Sequence, residues 1–141
     1  MAVTSEATTL WFGSLTEGSG TTSLDSSDAA EFPVTWAARS EGVAGTTNPE
    51  ELLGAAHSAC YSMALSHALS GAGHAPESLQ VTAAVTFQAG DGITGSHLLV
   101  SAKVPGLSAE EFQRFAEEAK SGCPVSKALT GIPITLEASL A

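Results

Sequence analysis

The sequence predicts an α+β fold in which antiparallel sheets surround two main helices. Strand-like runs fill an N-terminal and a C-terminal region, and two segments have the residue spacing and end signals of helices. The chain has 141 residues, of which 43% are hydrophobic and 14% are charged, a globular composition rather than that of a disordered tail. Because no repeat, linker or low-complexity tract interrupts it, residues 1–141 are predicted to form a single domain.

The N-terminal third reads as a small antiparallel sheet. Thr8–Leu15 alternates between apolar and polar residues, and the Gly/Ser/Thr-rich stretch EGSGTTS that follows is a turn signal. Phe32–Arg39 is a further extended run.

A long helix is predicted to begin in the stretch TTNPEELLGAAHSACYSMALSHAL. Asn48 is a good N-cap, and Pro49 suits the first helical position, where its missing N–H costs nothing. Glu51, at the third position, is expected to bond back to the cap. Glu50 has no such task, so it is either a favourable partner of the helix dipole or free for other work.

The same helix is predicted to lie at the centre of the protein or of a subunit interface. Its apolar residues recur at spacings of three and four, and small residues occupy the remaining faces and permit close approach. The predicted apolar stripe contains Leu52, Leu53, Ala56, Cys60, Met63 and Ala64.

The second half of the chain is predicted to contain a hairpin, a helix and a closing strand. Ser78–Gln88 and Ile93–Val104 are strand-like and are joined around AGDG, which has the composition of a hairpin turn. Ser108–Ser121 is an amphipathic helix, and its first residue forms a capping box with Glu111. Ile132–Ala138 reads as the last strand.

Charge and composition exclude several classes of partner. The formal net charge of -10 repels nucleic-acid phosphates and anionic lipid headgroups alike, so neither nucleic acid nor membrane is an expected partner. The N-terminus has neither the basic region nor the apolar run of a secretory signal peptide, which predicts a cytoplasmic protein. His57 and His67 interrupt the long helix, which favours a buried helix over a membrane span.

The chain has two cysteines, Cys60 and Cys123. In a cytoplasmic protein they do not form a structural disulfide framework, and without a CxxC motif or a recognised histidine spacing zinc is less favoured than redox chemistry. Cys123 follows the helix stop Gly122 and precedes Pro124, which makes it the expected N-cap of a short helix, where the dipole favours a thiolate. Each cysteine alone is more simply a buried or turn residue, but two in reactive settings favour a redox pair.

The stretch GTTNPEELLGAAHSACYSMALS, followed some sixty residues later by GCPVSKAL, resembles the paired signature of the OsmC/Ohr family, the osmotically inducible protein C and organic hydroperoxide resistance proteins. The resemblance extends to LWFGSLTEGSGTTSLDS, TWAARSEG and VPGLSAEEF, and so covers essentially the whole chain. AAHSACYSMALS is more similar to the OsmC branch than to the Ohr branch, where a tyrosine tends to replace the histidine.

The resemblance implies a thiol-dependent peroxidase that reduces organic hydroperoxides to alcohols, and hydrogen peroxide less well, with no metal or flavin cofactor. By position, Cys60 matches the peroxidatic cysteine and Cys123 the resolving cysteine, which would close an intramolecular disulfide. Arg39 matches the active-site arginine, and Glu50 matches the glutamate that pairs with it. The family suggests a dithiol reductant, such as a lipoylated protein.

The chemistry of peroxide reduction accounts for these residue types. Cys60 must ionise near neutral pH in an apolar setting, so a cation is needed nearby, and Arg39 held by a bidentate contact to Glu50 can supply it. His57 lies one turn before Cys60 and is either a general base or, as we prefer, a packed structural histidine. The apolar residues Leu53, Tyr61, Met63 and Phe87 are explained equally well as a peroxide pocket or as core.

Helix geometry, together with the resemblance, predicts an intertwined homodimer. Glu50 and Cys60 are ten residues apart, which on one straight helix is about 15 Å of rise, so they cannot meet within one chain. If both belong to one site, Glu50 and Arg39 must come from a second copy, with two central helices running antiparallel across a two-fold axis and the N-terminal segment reaching over the partner. Two other functions stay open: a redox sensor or lipophilic ligand-binding protein on the same fold, and a zinc-binding structural domain.

Overall fold

A computed structural model describes all residues of the chain, Met1–Ala141. It contains six strands and four helices, which confirms the α+β class. The chain divides into two compact units, residues 1–52 and residues 53–141, and each is described by itself. None of the helices has the length and apolar character needed to cross a membrane.

The first unit contains a three-stranded antiparallel sheet. Strands β1 (Ala7–Phe12), β2 (Ser19–Leu24) and β3 (Glu31–Val34) pair in the order β1-β2-β3. The predicted strand Thr8–Leu15 ends at Phe12 and the turn occupies residues 13–18, because β2 begins inside EGSGTTS and pairs along its whole length with β1. Every residue of β1 is exposed in the single chain.

The extended run predicted over Phe32–Arg39 is wrong in its second half. After β3, the backbone turns into the short helix α1 (Trp36–Ser40). The Thr35 hydroxyl caps this helix by accepting a hydrogen bond from the Ala38 N–H at 3.1 Å. The threonine N-cap satisfies a backbone N–H that, in a strand, would need a partner on a neighbouring strand. The alanines that follow also favour a helix.

Helix α2 (Pro49–Gly71) begins where the sequence predicts. Asn48 Oδ1 accepts from the Glu51 N–H at 2.8 Å, as expected of an N-cap. The Glu51 carboxylate, however, does not bond back to the cap but accepts from the Thr47 hydroxyl at 2.6 Å. The Asn48 amide donates instead to the Ala38 carbonyl, which ties the start of α2 to α1.

The second unit contains a mixed three-stranded sheet. Strands β4 (Ser78–Gln88) and β5 (Gly92–Lys103) form the predicted antiparallel hairpin. Strand β6 (Ile134–Leu140) pairs with β5 in parallel, so the prediction of purely antiparallel sheets is wrong for this pair. Two helices intervene between β5 and β6, and such a crossover returns the chain in the direction of β5.

Helices α3 (Ala109–Gly122) and α4 (Pro124–Ala128) form that crossover. Both hydrogen bonds of the predicted capping box at Ser108 are present. Cys123 separates the two helices as the C-cap of α3 and the N-cap of α4, as predicted.

The core of the second unit packs α2 against β5 and α3. Its largest fully buried side chains include Tyr61, Leu65, Leu98 and Phe112. The predicted stripe of α2 lies only partly on this face: the buried positions in this unit are 54, 57, 61, 65 and 69, whereas Cys60 and Ala64 are half-buried against the core and Met63 is 71% exposed. The tyrosine and leucines every fourth residue decide the buried face, since they remove far more apolar surface from water than the alanines do.

Candidate functional site

The four residues singled out from the sequence form two pairs. Arg39 and Glu50 meet in the first unit, and Cys60 and Cys123 meet in the second. In each pair, helix caps position the backbone, and packing orients the side chains.

The first pair is an ion pair with one buried partner. Arg39 Nε lies 2.9 Å and Arg39 Nη2 2.8 Å from the same carboxylate oxygen, Glu50 Oε1. The Glu50 side chain is only 6% exposed, whereas that of Arg39 is 31% exposed. The expected two-oxygen contact is therefore replaced by a double contact to Oε1, and the buried Glu50 Oε2 has no hydrogen-bond partner within the chain.

The start of α2 explains why these two side chains meet. Glu50 is the second residue of α2, and Arg39 lies in the last turn of α1. The hydrogen bond from Asn48 to the Ala38 carbonyl holds the ends of the two helices together. A buried carboxylate needs a cation or several donors, which Arg39 supplies on one oxygen only.

An apolar pocket of about 340 Å³ adjoins Arg39 within the first unit. Its walls include both tryptophans of the chain, Trp11 and Trp36, together with Leu15 and Leu52. The pocket residues considered from the sequence were others, and one of them, Tyr61, lies fully buried in the core of the second unit. The signal that could have found this pocket is the pair of tryptophans near the one arginine of the N-terminal third.

The second pair consists of two reduced thiols. Cys60 lies half-buried on α2, and Cys123 is fully buried at the start of α4. The two side chains interact directly, so the structure brings together the two cysteines that the sequence separates by more than sixty positions.

The pKa values of the two cysteines are shifted in opposite directions. Burial and the neighbouring Cys123 raise the pKa of Cys60. Burial would also raise the pKa of Cys123, but the Cys60 thiol, the N–H and hydroxyl groups of Ser126 and the Val125 N–H outweigh it and lower that pKa. Within the single chain, the hydrogen-bond donors at the start of α4 therefore favour the thiolate of Cys123.

His57 is buried in the second unit between two serines. Its Nδ1 lies 2.7 Å from Ser96 Oγ and its Nε2 lies 2.8 Å from Ser126 Oγ. Burial lowers the pKa of His57, so the ring is neutral. Sequence reasoning did not single out the two serines, although the position of Ser126, three residues after Cys123 in SGCPVSKAL, is a detectable signal.

Comparison with known proteins identifies the family. The model of the family described as OsmC-like protein matches residues 42–137, which include three of the four predicted site residues. The chain belongs to the OsmC family. This membership confirms the resemblance found in the sequence.

Individual OsmC family proteins match over most of the chain. Peroxiredoxin OsmC of Escherichia coli strain K12 is 44% identical over 133 residues, which cover 92% of each chain. Organic hydroperoxide resistance protein OhrA of Bacillus subtilis is 33% identical over 102 residues, covering 70% of this chain and 72% of the relative. The crystal structure of an OsmC-like protein from Mycoplasma pneumoniae superposes with a TM-score of 0.76 at 18% identity, covering 100% of this chain and 99% of the other, and shows the OsmC fold.

Proposed function

We propose that this OsmC family protein is a thiol-dependent peroxidase that reduces organic hydroperoxides to alcohols. The observation that carries the proposal is the direct interaction of two free thiols, Cys60 on α2 and Cys123 at the start of α4. The names of the relatives, a peroxiredoxin and an organic hydroperoxide resistance protein, support the same activity.

The proposed cycle uses each cysteine once. The Cys60 thiolate attacks the terminal peroxide oxygen, the O–O bond breaks, and the departing alkoxide takes a proton and leaves as the alcohol. The resulting Cys60 sulfenic acid is attacked by the Cys123 thiolate, so that a disulfide forms and water leaves. A dithiol reductant then exchanges with the disulfide and restores both thiols.

Arg39, held by Glu50, supplies the positive charge that this cycle requires. The setting of Cys60 raises its pKa, so a nearby guanidinium is needed to favour its thiolate and to bond the peroxide oxygens. In the proposed site these two residues come from a second copy of the chain. The buried Glu50 Oε2, which has no partner in its own chain, supports a donor from outside that chain.

A homodimer is consistent with the surfaces of the single chain. Leu10 and Phe12 of β1 are 60% and 67% exposed, and Met63 of α2 is 71% exposed. Apolar residues of this size on a strand and a central helix favour burial against another surface. We propose that a second copy covers them, as the predicted intertwined dimer requires.

The pocket beside Arg39 favours a second candidate function. A cavity of about 340 Å³ lined by Trp11, Trp36 and Leu52 suits an apolar molecule, so a lipophilic ligand-binding or redox-sensing protein is the alternative. In the peroxidase, the same pocket would receive the alkyl part of the hydroperoxide.

The deciding experiment measures steady-state turnover. We expect wild-type protein to reduce cumene hydroperoxide faster than hydrogen peroxide, and to be recycled by dihydrolipoamide faster than by a monothiol. Cys60→Ser should be inactive, while Ser58→Ala, two positions earlier on the same helix, should retain the wild-type rate. Oxidation to a disulfide without repeated turnover would support the sensor instead, and stoichiometric zinc in the purified protein would overturn both redox functions.

A further inference from the structure

His57 forms a buried chain of hydrogen bonds that the proposed cycle does not use. It links Ser96 on β5, through its two ring nitrogens, to Ser126 on α4. All three side chains are buried, with exposed fractions of 0%, 1% and 3% for His57, Ser96 and Ser126. The imidazole therefore connects the sheet to the short helix that Cys123 begins.

The protonation of this chain is constrained. Because burial lowers the pKa of His57, the ring carries a single N–H and has one donor and one acceptor nitrogen. Ser126 lies in the first turn of α4, where its hydroxyl acts on the Cys123 sulfur. When that hydroxyl donates to a thiolate, its oxygen must accept elsewhere, and His57 Nε2 lies within hydrogen-bond distance of it.

When Cys123 is a thiolate, one arrangement satisfies every member. The Ser96 hydroxyl donates to Nδ1, the Nε2–H donates to Ser126 Oγ, and the Ser126 hydroxyl donates to the Cys123 sulfur. This arrangement requires the Nε2–H tautomer of His57. The opposite tautomer would turn the Ser126 proton toward the ring and away from Cys123.

The geometry points to His57 as a positioning residue that orients the Ser126 hydroxyl toward Cys123 and so favours the thiolate that resolves the Cys60 sulfenic acid. In that step an S–S bond forms between the cysteines and the S–O bond breaks, so that the thiol proton of Cys123 and the hydroxyl of the sulfenic acid leave together as water. The role in resolution rests on the proposed peroxidase function. The orientation of Ser126 does not, and it is tested separately.

The titratable side chains that interact with Cys123 lie on α2. Cys60 and Tyr61 face it from α2, and Glu117 of α3 acts on Tyr61. Burial raises the pKa of Tyr61, the only tyrosine of the chain, so its phenol does not ionise where thiols do. With Cys60 replaced, the ultraviolet absorbance of thiolate therefore reports on Cys123 alone.

The first measurement is a thiolate titration in a Cys60→Ala background. Adding Ser126→Ala removes the hydroxyl, and adding His57→Phe removes the ring nitrogens. Each is expected to raise the pKa of Cys123 by about one unit or more, as the loss of a hydrogen bond to a charged group does. Ser121→Ala, at an exposed hydroxyl that bonds to the Glu118 carbonyl, is the matched control and should leave that pKa unchanged.

The second measurement follows disulfide formation with Cys60 present, after one equivalent of cumene hydroperoxide. Ser126→Ala should leave sulfenic acid formation unchanged and slow disulfide closure about tenfold at neutral pH, with recovery at higher pH. A folded Ser126→Ala variant with an unchanged Cys123 pKa and an unchanged closure rate would overturn the inference.

The third measurement needs no substitution. Nitrogen NMR of wild-type His57 above the titration of Cys123 should show the Nε2–H tautomer, and an Nδ1–H tautomer there would contradict the proposed orientation even if the His57 variants do not fold. If wild type fails to turn over peroxide while Ser126→Ala still raises the Cys123 pKa, the peroxidase function fails and the orientation stands. If turnover is normal and that pKa does not move, only the orientation fails.

Discussion

Co-refolding Cys60→Ser chains with Arg39→Ala chains tests whether the proposed site is shared between two copies. Each variant alone lacks one essential group in both of its sites and should be inactive or nearly so. In a mixed dimer built as proposed, one site receives Cys60 from the first chain and intact Arg39 and Glu50 from the second. The other site receives both substitutions and should be inactive.

If Glu50 and Cys60 belong to one site, the geometry of α2 requires that the site be shared. Glu50 and Cys60 lie on this one helix, and their separation of ten positions corresponds to about 15 Å along its axis. Glu50 holds Arg39 at 2.8 Å and 2.9 Å, so the arginine is tied to the start of the helix. Random pairing makes half of the dimers mixed, with one working site of two, which predicts about a quarter of wild-type activity in an equal mixture.

The assay is turnover of cumene hydroperoxide with dihydrolipoamide, on heterodimers isolated through two different affinity tags. Purified heterodimers should reach about half of the wild-type rate. Two mixtures serve as controls. The mixture of Cys60→Ser with Cys123→Ser should not recover activity, because the two thiols interact within one chain. The mixture of Cys60→Ser with Arg114→Ala should keep one active site, as a mixture of Cys60→Ser with wild type does, because Arg114 is exposed on α3.

Failure of the isolated Cys60→Ser/Arg39→Ala heterodimer to recover activity would place Arg39 in the same chain as its thiol. That result would refute the shared site, and with it the inference from helix length. Recovery in the Cys60→Ser with Cys123→Ser mixture would instead show that the two cysteines act across the interface.

Three further predictions concern the thiols, the packing of α2 and the buried histidine. Cys60→Ser should abolish peroxide reduction, whereas Cys123→Ser should complete one turnover and accumulate a sulfenic acid that overoxidises, as mass spectrometry would show; equal single-turnover inactivity would contradict the assigned roles. Gly54→Ala should lower the free energy of unfolding by about 1–3 kcal/mol, because its Cβ would meet a β4 backbone carbonyl at 2.8 Å. Gly71→Ala, with nothing within 4 Å of its Cβ, should be neutral or stabilise by up to about 1 kcal/mol in the same denaturant titration. Because burial lowers the pKa of His57 from 6.5, the unfolded chain binds a proton that the folded chain excludes, so stability should fall as pH drops below 6.5, and His57→Gln should flatten that slope.

Local hydrogen bonding made several elements predictable. The N-cap at Asn48, the capping box at Ser108 and the placement of Cys123 between two helices are all present as the sequence predicts. Each depends on residues within three or four positions of one another, so the sequence order already contains the contact. The hairpin of β4 and β5 is predictable for the same reason, because a short turn sets its register.

Segments whose residues suit two local structures equally well are harder to predict. The run after β3 contains aromatic and small residues that suit either a strand or a helix, and the cap at Thr35 decides for a helix. The buried face of α2 is ambiguous in the sequence for a similar reason. Alanines and serines give its faces similar hydrophobicity, so the few large residues that pack, Tyr61, Leu65 and Leu69, decide which face is buried.

The sequence by itself determined the α+β class and the starts of α2, α3 and α4, and the family resemblance proposes four residues for the chemistry, since these depend on neighbouring positions or on a recognisable motif. Only the tertiary structure decided the parallel pairing of β6, the single-oxygen contact of Arg39 to Glu50 and the neutral His57 between two serines. The partners of His57 lie 39 and 69 positions away. Contacts over such distances form only when the packed core fixes the elements in space, because no local hydrogen bond or periodicity specifies which distant side chain will satisfy a buried polar group.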